Sequence, residues 1–471
     1  MDAYKKLIKN SGIFAIANMG SKLISILLVP LYTYVLTTEQ YGTVDMFITS
    51  ISLLLPIVTL SIYDATLRFS LKSKYSKKDI FSTSLIVVTL GNLVFLLLYP
   101  LLRKIELLNS YLLLFYLMLF IQTINSVFSQ FTRGIGKVKQ FALNGVINTF
   151  LIVISNILLL VHFRLGIKGY MISIIIANLI CNLYLYFSVK LWKYFNIKSY
   201  RRNLLREMLI YSIPLMPNSL MWWIMNASDR YMITFFLGVA ANGLYAVAYK
   251  IPTILNVVYS IFSQAWQLSA IEEVDSKNKS KFYSNVFNVF AVVMLIGTSI
   301  IIVFIKPVIE IFLSKSYAEC WRYIPFLLLA VVFTSFSSFL GTNYIAMKKT
   351  KGVFKTSLIG AIINIILNII LIPIIGLNGA GIATMISFFI VWIIRIYDTK
   401  EFVNIQINIR TMSLTLIGIL LQIILLYFND NLYLNLIMQL VLLLLIIVIN
   451  KNELINILKK ARINEMKNIY N

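Results

Sequence analysis

Predominantly apolar runs of eighteen or more residues recur from one end of this sequence to the other, and no other feature restricts its fold so strongly. As a helix, a run of that length crosses the ~30 Å hydrocarbon layer of a bilayer. Within that layer every backbone donor and acceptor must be satisfied inside the protein. The composition agrees: 59% of residues are hydrophobic and 13% charged, against about 25% charged in soluble domains. The runs predict helices at about 10–36, 41–63, 81–100, 110–132, 142–162, 169–189, 211–237, 243–270, 282–305, 321–345, 354–374, 379–397, 411–428 and 432–449. The expected fold class is therefore an all-α integral membrane protein of about fourteen spans. The first run superficially resembles a signal peptide. Its apolar part is too long, is interrupted by Lys22 and lacks a small-residue cleavage site, so it reads as a retained first helix.

A net charge of +24 invites a nucleic-acid reading, but the positions of the cations argue otherwise. If the N-terminus is cytoplasmic, the inner segments carry 32 of the 42 Lys and Arg residues and the outer segments 6. Lys22, Arg230, Lys250 and Arg322 make up the rest, near or within helices. That asymmetry is the positive-inside rule, and it accounts for the basic balance without a polyanionic partner. The longest inner connection, 192–207 (WKYFNIKSYRRNLLRE), is basic, aromatic and weakly amphipathic, and is expected to lie on an anionic leaflet. Cys181 and Cys320 form neither a disulfide framework nor a metal set, and they read as small buried side chains. His162 ends a helix as an interfacial polar cap. No phosphate-binding glycine loop is present, and no metal or cofactor is expected.

The stretch from Tyr211 to Pro252 departs from this pattern, with Asp229, Arg230 and Lys250 well inside its apolar flanks. Two helices, 211–237 and 243–270, are expected around a turn at 238–243. Arg230 and Lys250 then each lie seven residues from the turn, roughly 10 Å below the same membrane face. A charge at that depth costs ~2–3 kcal/mol on insertion scales, and such residues usually serve a function. Ser219, Trp223, Asn226 and Arg230 share one helical face; Lys250, Thr253, Ser260, Gln264 and Gln267 share another. Two readings stay open here. Either these faces line a water-filled cavity, or Asp229 and Arg230 help helices pack while Lys250 snorkels outward. Asp45 sits near the outer end of the second helix. Because the within-membrane charges are mostly positive, with Lys22, Arg230 and Lys250 against Asp229, a cavity would favour an anionic cargo. Trp222 and Trp223, near mid-helix, suit either stacking on sugars or packing.

The two halves of the sequence resemble each other. Leu36–Phe47 aligns with Leu237–Ala248, placing Gly42 on Gly243. Residues 155–177 recur as 367–387, matching Asn156 with Asn368 and Gly166 and Gly169 with Gly376 and Gly379. The expected organisation is a six-helix lobe over 1–190, a linker over 191–208, a second six-helix lobe over 209–400, and a helix pair with a basic tail over 401–471. Parallel repeats of this kind are a transporter design with the site at the repeat interface. Pro30, Pro56, Pro214, Pro217 and Pro252 supply kinks.

The opening KNSGIFAIANMGSKLISILLVPLYTYVLTTEQYGTVDMF, the stretch SDRYMITFFLGVAANGLYAVAYKIP (228–252) and GLNGAGIAT (376–384) resemble motifs of the polysaccharide flippases (Wzx-like) of the multidrug/oligosaccharidyl-lipid/polysaccharide exporter superfamily. The resemblance spans about residues 5–397. It implies two six-helix lobes around a central, often cationic cavity, in the cytoplasmic (inner) membrane of a bacterium with both termini cytoplasmic. The implied activity is non-enzymatic flipping of undecaprenyl-diphosphate-linked oligosaccharide repeat units for capsule, O-antigen or exopolysaccharide synthesis. The implied partners are that lipid-linked substrate, the membrane, and the polymerase and chain-length regulator of the same pathway. The expected substrate-binding residues are Arg230, Lys250, Lys22, Asn226 and Trp223, with Asp229 for ion coupling. A cation-coupled multidrug exporter of the same superfamily is the nearer alternative. A polysaccharide polymerase or ligase is the further one, because the longest outer connection, about 306–320, is too small and apolar for an active site.

Overall fold

A computed structural model describes residues 20, 22, 24–71, 74–272, 278–347, 350–428 and 431–455. Among them all regular structure is helical. The chain separates into two compact units, residues 1–246 and 247–471. The division falls beyond the expected linker at 191–208, because residues 215–246 pack onto the first half of the chain.

The first unit begins with α1 (Val29–Val35) and α2 (Thr38–Val58). A capping box starts α2: the Thr37 hydroxyl accepts from the Gln40 N–H, and the Gln40 side chain accepts from the Thr37 N–H. Pro56 and the left-handed residues Leu60 and Ser61 break the rod before α3 (Ile62–Leu71). There follow α4 (Lys77–Leu96), α5 (Leu112–Gly134), α6 (Val138–Asn156), α7 (Gly166–Val189), the short α8 (Arg202–Ser212), α9 (Leu215–Leu237) and α10 (Val239–Ala248). One end of this unit is closed by a core of Ile62, Ile80, Phe81, Val127, Phe131, Leu185, Leu204 and Met208, drawn from α3, α4, α5, α7 and α8.

The second unit holds α11 (Thr253–Glu272), α12 (Lys279–Phe312), α13 (Ile324–Ala346), α14 (Thr350–Ile375), α15 (Leu377–Thr399), α16 (Ile409–Phe428) and α17 (Leu432–Ile449). Its core is aromatic, with Trp266 stacked on Phe339 and Phe262 on Phe290, both at 4.2 Å between ring centroids. The paired glycines of the sequence repeat behave alike in each unit. Gly166 and Gly376 take positive φ values of 53° and 64°. Gly169 and Gly379 have no room for a Cβ, which would lie 3.0 Å from the Leu159 carbonyl oxygen and 2.4 Å from that of Leu371, respectively.

Eleven helices among the described residues are long and apolar enough to cross a membrane, or twelve if α10 and α11 form one broken span. On α17 the residues Ile437, Val441, Leu444 and Val448 present one exposed apolar stripe, which lipid must cover. The chain is a multi-pass membrane protein. Of the expected first helix, 10–36, residues 10–19, 21 and 23 lie outside the described residues. The expected 211–237 span forms α9, long enough at 23 residues but too polar to meet the same test. The expected helix at 243–270 is corrected: Pro252 and a break over 249–252 divide it. The expected outer connection at 306–320 is also shorter, since α12 runs through Pro307 to Phe312.

Candidate functional site

Several polar side chains of α9 face α2, while Ser219, Trp223 and Asn226 stay partly exposed. On α2 the residues Gly42, Asp45, Met46, Thr49, Ser50 and Ser52 fall along roughly one side of the helix. Five side chains of α9 and α10 reach it. Trp223 Nε1 donates to the Thr49 carbonyl at 3.1 Å and the Ser52 hydroxyl at 3.0 Å. The Tyr231 hydroxyl lies 2.5 Å from that of Ser50. The Thr234 hydroxyl contacts the Met46 sulfur at 3.3 Å. Asn242 donates to the Gly42 carbonyl at 3.1 Å and to Asp45 Oδ2 at 3.4 Å.

Arg230 is the centre of this seam. Its Nε lies 2.9 Å from Asp45 Oδ2, and its NH1 lies 3.5 Å from Asp229 Oδ1. NH1 also donates to the Asn226 carbonyl one turn earlier, at 3.0 Å. Asp229 accepts from the Arg230 backbone N–H at 2.9 Å and from the Tyr245 hydroxyl at 2.5 Å. The side chains are 10% (Arg230), 13% (Asp45) and 3% (Asp229) exposed, so the network is largely closed to solvent. One guanidinium thus serves two carboxylates. Buried charges persist only when paired and hydrogen-bonded in this way.

The helices come close enough for these bonds because two glycines meet. A Cβ on Gly42 would lie 2.1 Å from the Val239 carbonyl oxygen, and one on Gly243 would lie 1.8 Å from that of Thr38. Gly243 therefore does not make the turn expected at 238–243. It belongs to α10, and Gly238 alone, with φ 90°, separates α9 from α10.

The expected site residues fare differently. Arg230, Asp229, Asn226 and Trp223 all lie on α9, with Arg230 and Trp223 turned to α2. The Asn226 amide bonds back to the Trp222 carbonyl within its own helix. Lys250 belongs to the second unit and lies in the break before α11, where the Thr253 hydroxyl donates to its carbonyl. It is half-buried. Lys22 is helical and exposed. Asp45 is the residue the sequence reading noticed but did not use. A signal existed: it lies seven residues into α2, as Arg230 lies seven before the end of α9, so the two share a depth of roughly 10 Å.

The second unit contains a buried cation that charge counting along the sequence does not single out. Arg395 on α15 is 1% exposed. It donates to the Thr356 hydroxyl (3.0 Å), the Ser337 carbonyl (2.8 Å), the Ser357 hydroxyl (3.1 Å) and the Val353 carbonyl (3.5 Å), tying α13 and α14 to α15. These four partners are neutral, which marks a packing role. Among the described residues no group of His, Cys, Asp and Glu side chains is arranged to hold a metal ion.

The profile of the family described as polysaccharide biosynthesis protein matches residues 7–267, more than half of the chain. The chain belongs to that family. The matched region contains all of the α2, α9 and α10 seam. Another relative is an uncharacterized membrane protein, MJ1068, of Methanocaldococcus jannaschii, 28% identical over 238 residues. That match covers 49% of this chain and 46% of the relative, so about half of the relative's length is spanned. Among solved structures, the lipid II flippase MurJ in an inward closed conformation superposes with a TM-score of 0.73 at 17% identity, covering 94% of this chain and 99% of MurJ. An inward-facing multidrug resistance MATE family transporter of the MOP superfamily gives 0.68 at 14% identity, covering 85% and 98%. At these identities the likeness fixes the fold: this family member has the all-α membrane architecture of those transporters.

Proposed function

We propose that this protein is a flippase that moves undecaprenyl-diphosphate-linked oligosaccharide repeat units across the cytoplasmic membrane by alternating access, and carries out no bond-making chemistry. The observation that carries the reading is the Asp45–Arg230–Asp229 network, buried within membrane-length helices inside the region matched by the polysaccharide biosynthesis family. Intramembrane ionisable groups mark cargo or ion pathways by default. A lipid-linked sugar needs help because its polar head would have to shed water in the bilayer core. In the proposed mechanism Arg230 exchanges its carboxylate partners for the diphosphate, whose oxygens fit a guanidinium fork. Lys22 and Lys250 add positive charge, Trp223 and Asn226 contact sugar once the seam opens, and Asp229 couples the cycle to an ion. The MOP-type fold and the two-lobe organisation of that superfamily support alternating access. The strong bias of Lys and Arg to one set of loops supports cytoplasmic termini.

A second reading has its own observation. Two carboxylates against one guanidinium leave the seam with more acid than base, which suits a cation-coupled multidrug exporter. One experiment separates the two. Purified protein in liposomes is given either labelled undecaprenyl-diphosphate oligosaccharide or a cationic dye such as ethidium. Translocation of the lipid-linked sugar without dye movement is expected; dye movement alone overturns the flippase reading.

A further inference from the structure

Helix α8 has three faces, and only two are used inside the protein. Leu204 and Met208, both fully buried, anchor it in the core that closes one end of the first unit. Its flanks are held by ion pairs: Arg201 Nε lies 3.1 Å from Asp79 Oδ2, and Glu207 accepts from the Tyr75 hydroxyl at 2.9 Å and sits 3.2 Å from Lys74 Nζ. The third face carries Arg202, Arg206, Ile210 and Ile213, with Leu209, which also packs against the core, along its edge, so that one stripe runs from α8 into its junction with α9. These residues and Pro214 line an open groove. Both arginines are exposed, and neither forms a salt bridge with a carboxylate among the described residues.

The stripe is polarised along its length. Its first half is cationic. Its second half is apolar, with Ile210 64% and Ile213 42% exposed. From Arg202 to Ile213 the rise is roughly 16 Å. The segment sits where the spanning helix α7 has ended and α9 has not begun, which places it at the edge of the apolar layer. A ligand complementary to it has an anionic head at the arginine end and hydrocarbon at the other. A soluble polyanion would leave the isoleucines bare, and an apolar peptide would leave the arginines unmatched. We propose that α8 and its junction with α9 bind an anionic phospholipid, with the phosphate held between Arg202 and Arg206 and the acyl chains lying along Leu209, Ile210 and Ile213. Arg206 follows Arg202 by one helical turn, so two guanidinium groups can grip one phosphate. This site is independent of the transport reading and of which side of the membrane α8 faces.

Native mass spectrometry of the full-length protein, released from nanodiscs containing phosphatidylglycerol or phosphatidylcholine, tests it. The wild type should retain phosphatidylglycerol in preference to phosphatidylcholine. Each surface cation contributes about a factor of five to anionic-lipid binding, so the Arg202→Gln, Arg206→Gln pair should bind phosphatidylglycerol about 30-fold more weakly. The control pair Lys351→Gln, Lys355→Gln, exposed cations elsewhere, should leave retention unchanged. If the arginine pair does not fold, Ile210→Asn with Ile213→Asn supplies the same test from the apolar end. Equal retention of both lipids, an unchanged arginine pair, or an equal loss in the control pair overturns the proposal. So does full displacement by millimolar inorganic phosphate, which would make this a free-phosphate site. Tighter binding of undecaprenyl phosphate than of phosphatidylglycerol would assign the groove to the cargo and overturn it as well.

Discussion

Replacing Arg230 by alanine is the sharpest perturbation of the seam. Sequence alone leads one to expect a protein of normal abundance that has lost transport, because removing a charge from lipid eases insertion. The structure changes that expectation. Arg230→Ala strands Asp45 and Asp229, whose side chains are 13% and 3% exposed. Breaking a buried pair from one side typically costs about 3–5 kcal/mol. A ceiling comes from protonation: neutralising an ordinary carboxyl group at pH 7 costs about 4 kcal/mol. Asp229 keeps its bonds to the Tyr245 hydroxyl and a backbone N–H, so most of the loss belongs to Asp45. The single variant should therefore be about 3–4 kcal/mol less stable. Adding Asp45→Asn should restore about 2 kcal/mol, a coupling within the range for residues of one network. Thermal unfolding of the purified proteins in detergent, run as the full cycle of Asp45→Asn, Arg230→Ala and the double variant, measures it. Additivity within about 0.5 kcal/mol would show that the two residues do not support each other, and the seam as described would be refuted.

Gly42→Ala places a Cβ 2.1 Å from the Val239 carbonyl oxygen, so it should lower the unfolding temperature with a loss of about 1–3 kcal/mol. Gly145→Ala, with open space around it in α6, should gain up to about 1 kcal/mol in the same assay. On α8, the Tyr75 hydroxyl and then Lys74 hold the Glu207 carboxyl below the usual range. Its folded pKa is depressed, so its contribution is present above the unfolded value near 4.3 and fades as pH falls through the folded one. Limited proteolysis around 201–212 should accelerate in the wild type as pH falls below the ordinary glutamate range, and Glu207→Gln should remove that acid-dependent step. For topology, single cysteines at the exposed positions Asn203 and Ala240, with the buried Cys181 and Cys320 replaced by alanine, should react with an impermeant thiol reagent from opposite faces. Labelling from the same face would overturn the assigned orientation.

The membrane character was legible at once, because an apolar run needs no partner to be recognised. Charge depth along α9 was legible as well, and it singled out Asp229 and Arg230. The partner was not. Whether Arg230 faces water or another helix depends on which helix lies opposite, and helical periodicity says nothing about that. Gly42 and Gly243 show the same limit. Their alignment in the repeat was visible, and Gly243 was assigned to a turn, but the reason for glycine is the backbone across the interface rather than the local chain. The break at 249–252 follows from Pro252, but its four-residue extent is not set by the proline alone. Arg395 escapes notice in the sequence for a related reason: a cation near a helix end looks interfacial until hydroxyls and carbonyls from two other helices enclose it.

The glycine contact between α2 and α10 also has a thermodynamic signature. Where backbone meets backbone with no side chain between, parting the two helices uncovers little hydrocarbon. The resistance to parting α2 from α10 is then concentrated in the polar stitches, above all the Asn242 bonds to the Gly42 carbonyl and to Asp45. Exposure of apolar surface is what gives a conformational step a large heat-capacity change. Parting α2 from α10 at this contact should therefore have nearly linear Eyring behaviour, and its rate should respond to substitution of Asn242 far more than to temperature-dependent hydrophobic strength.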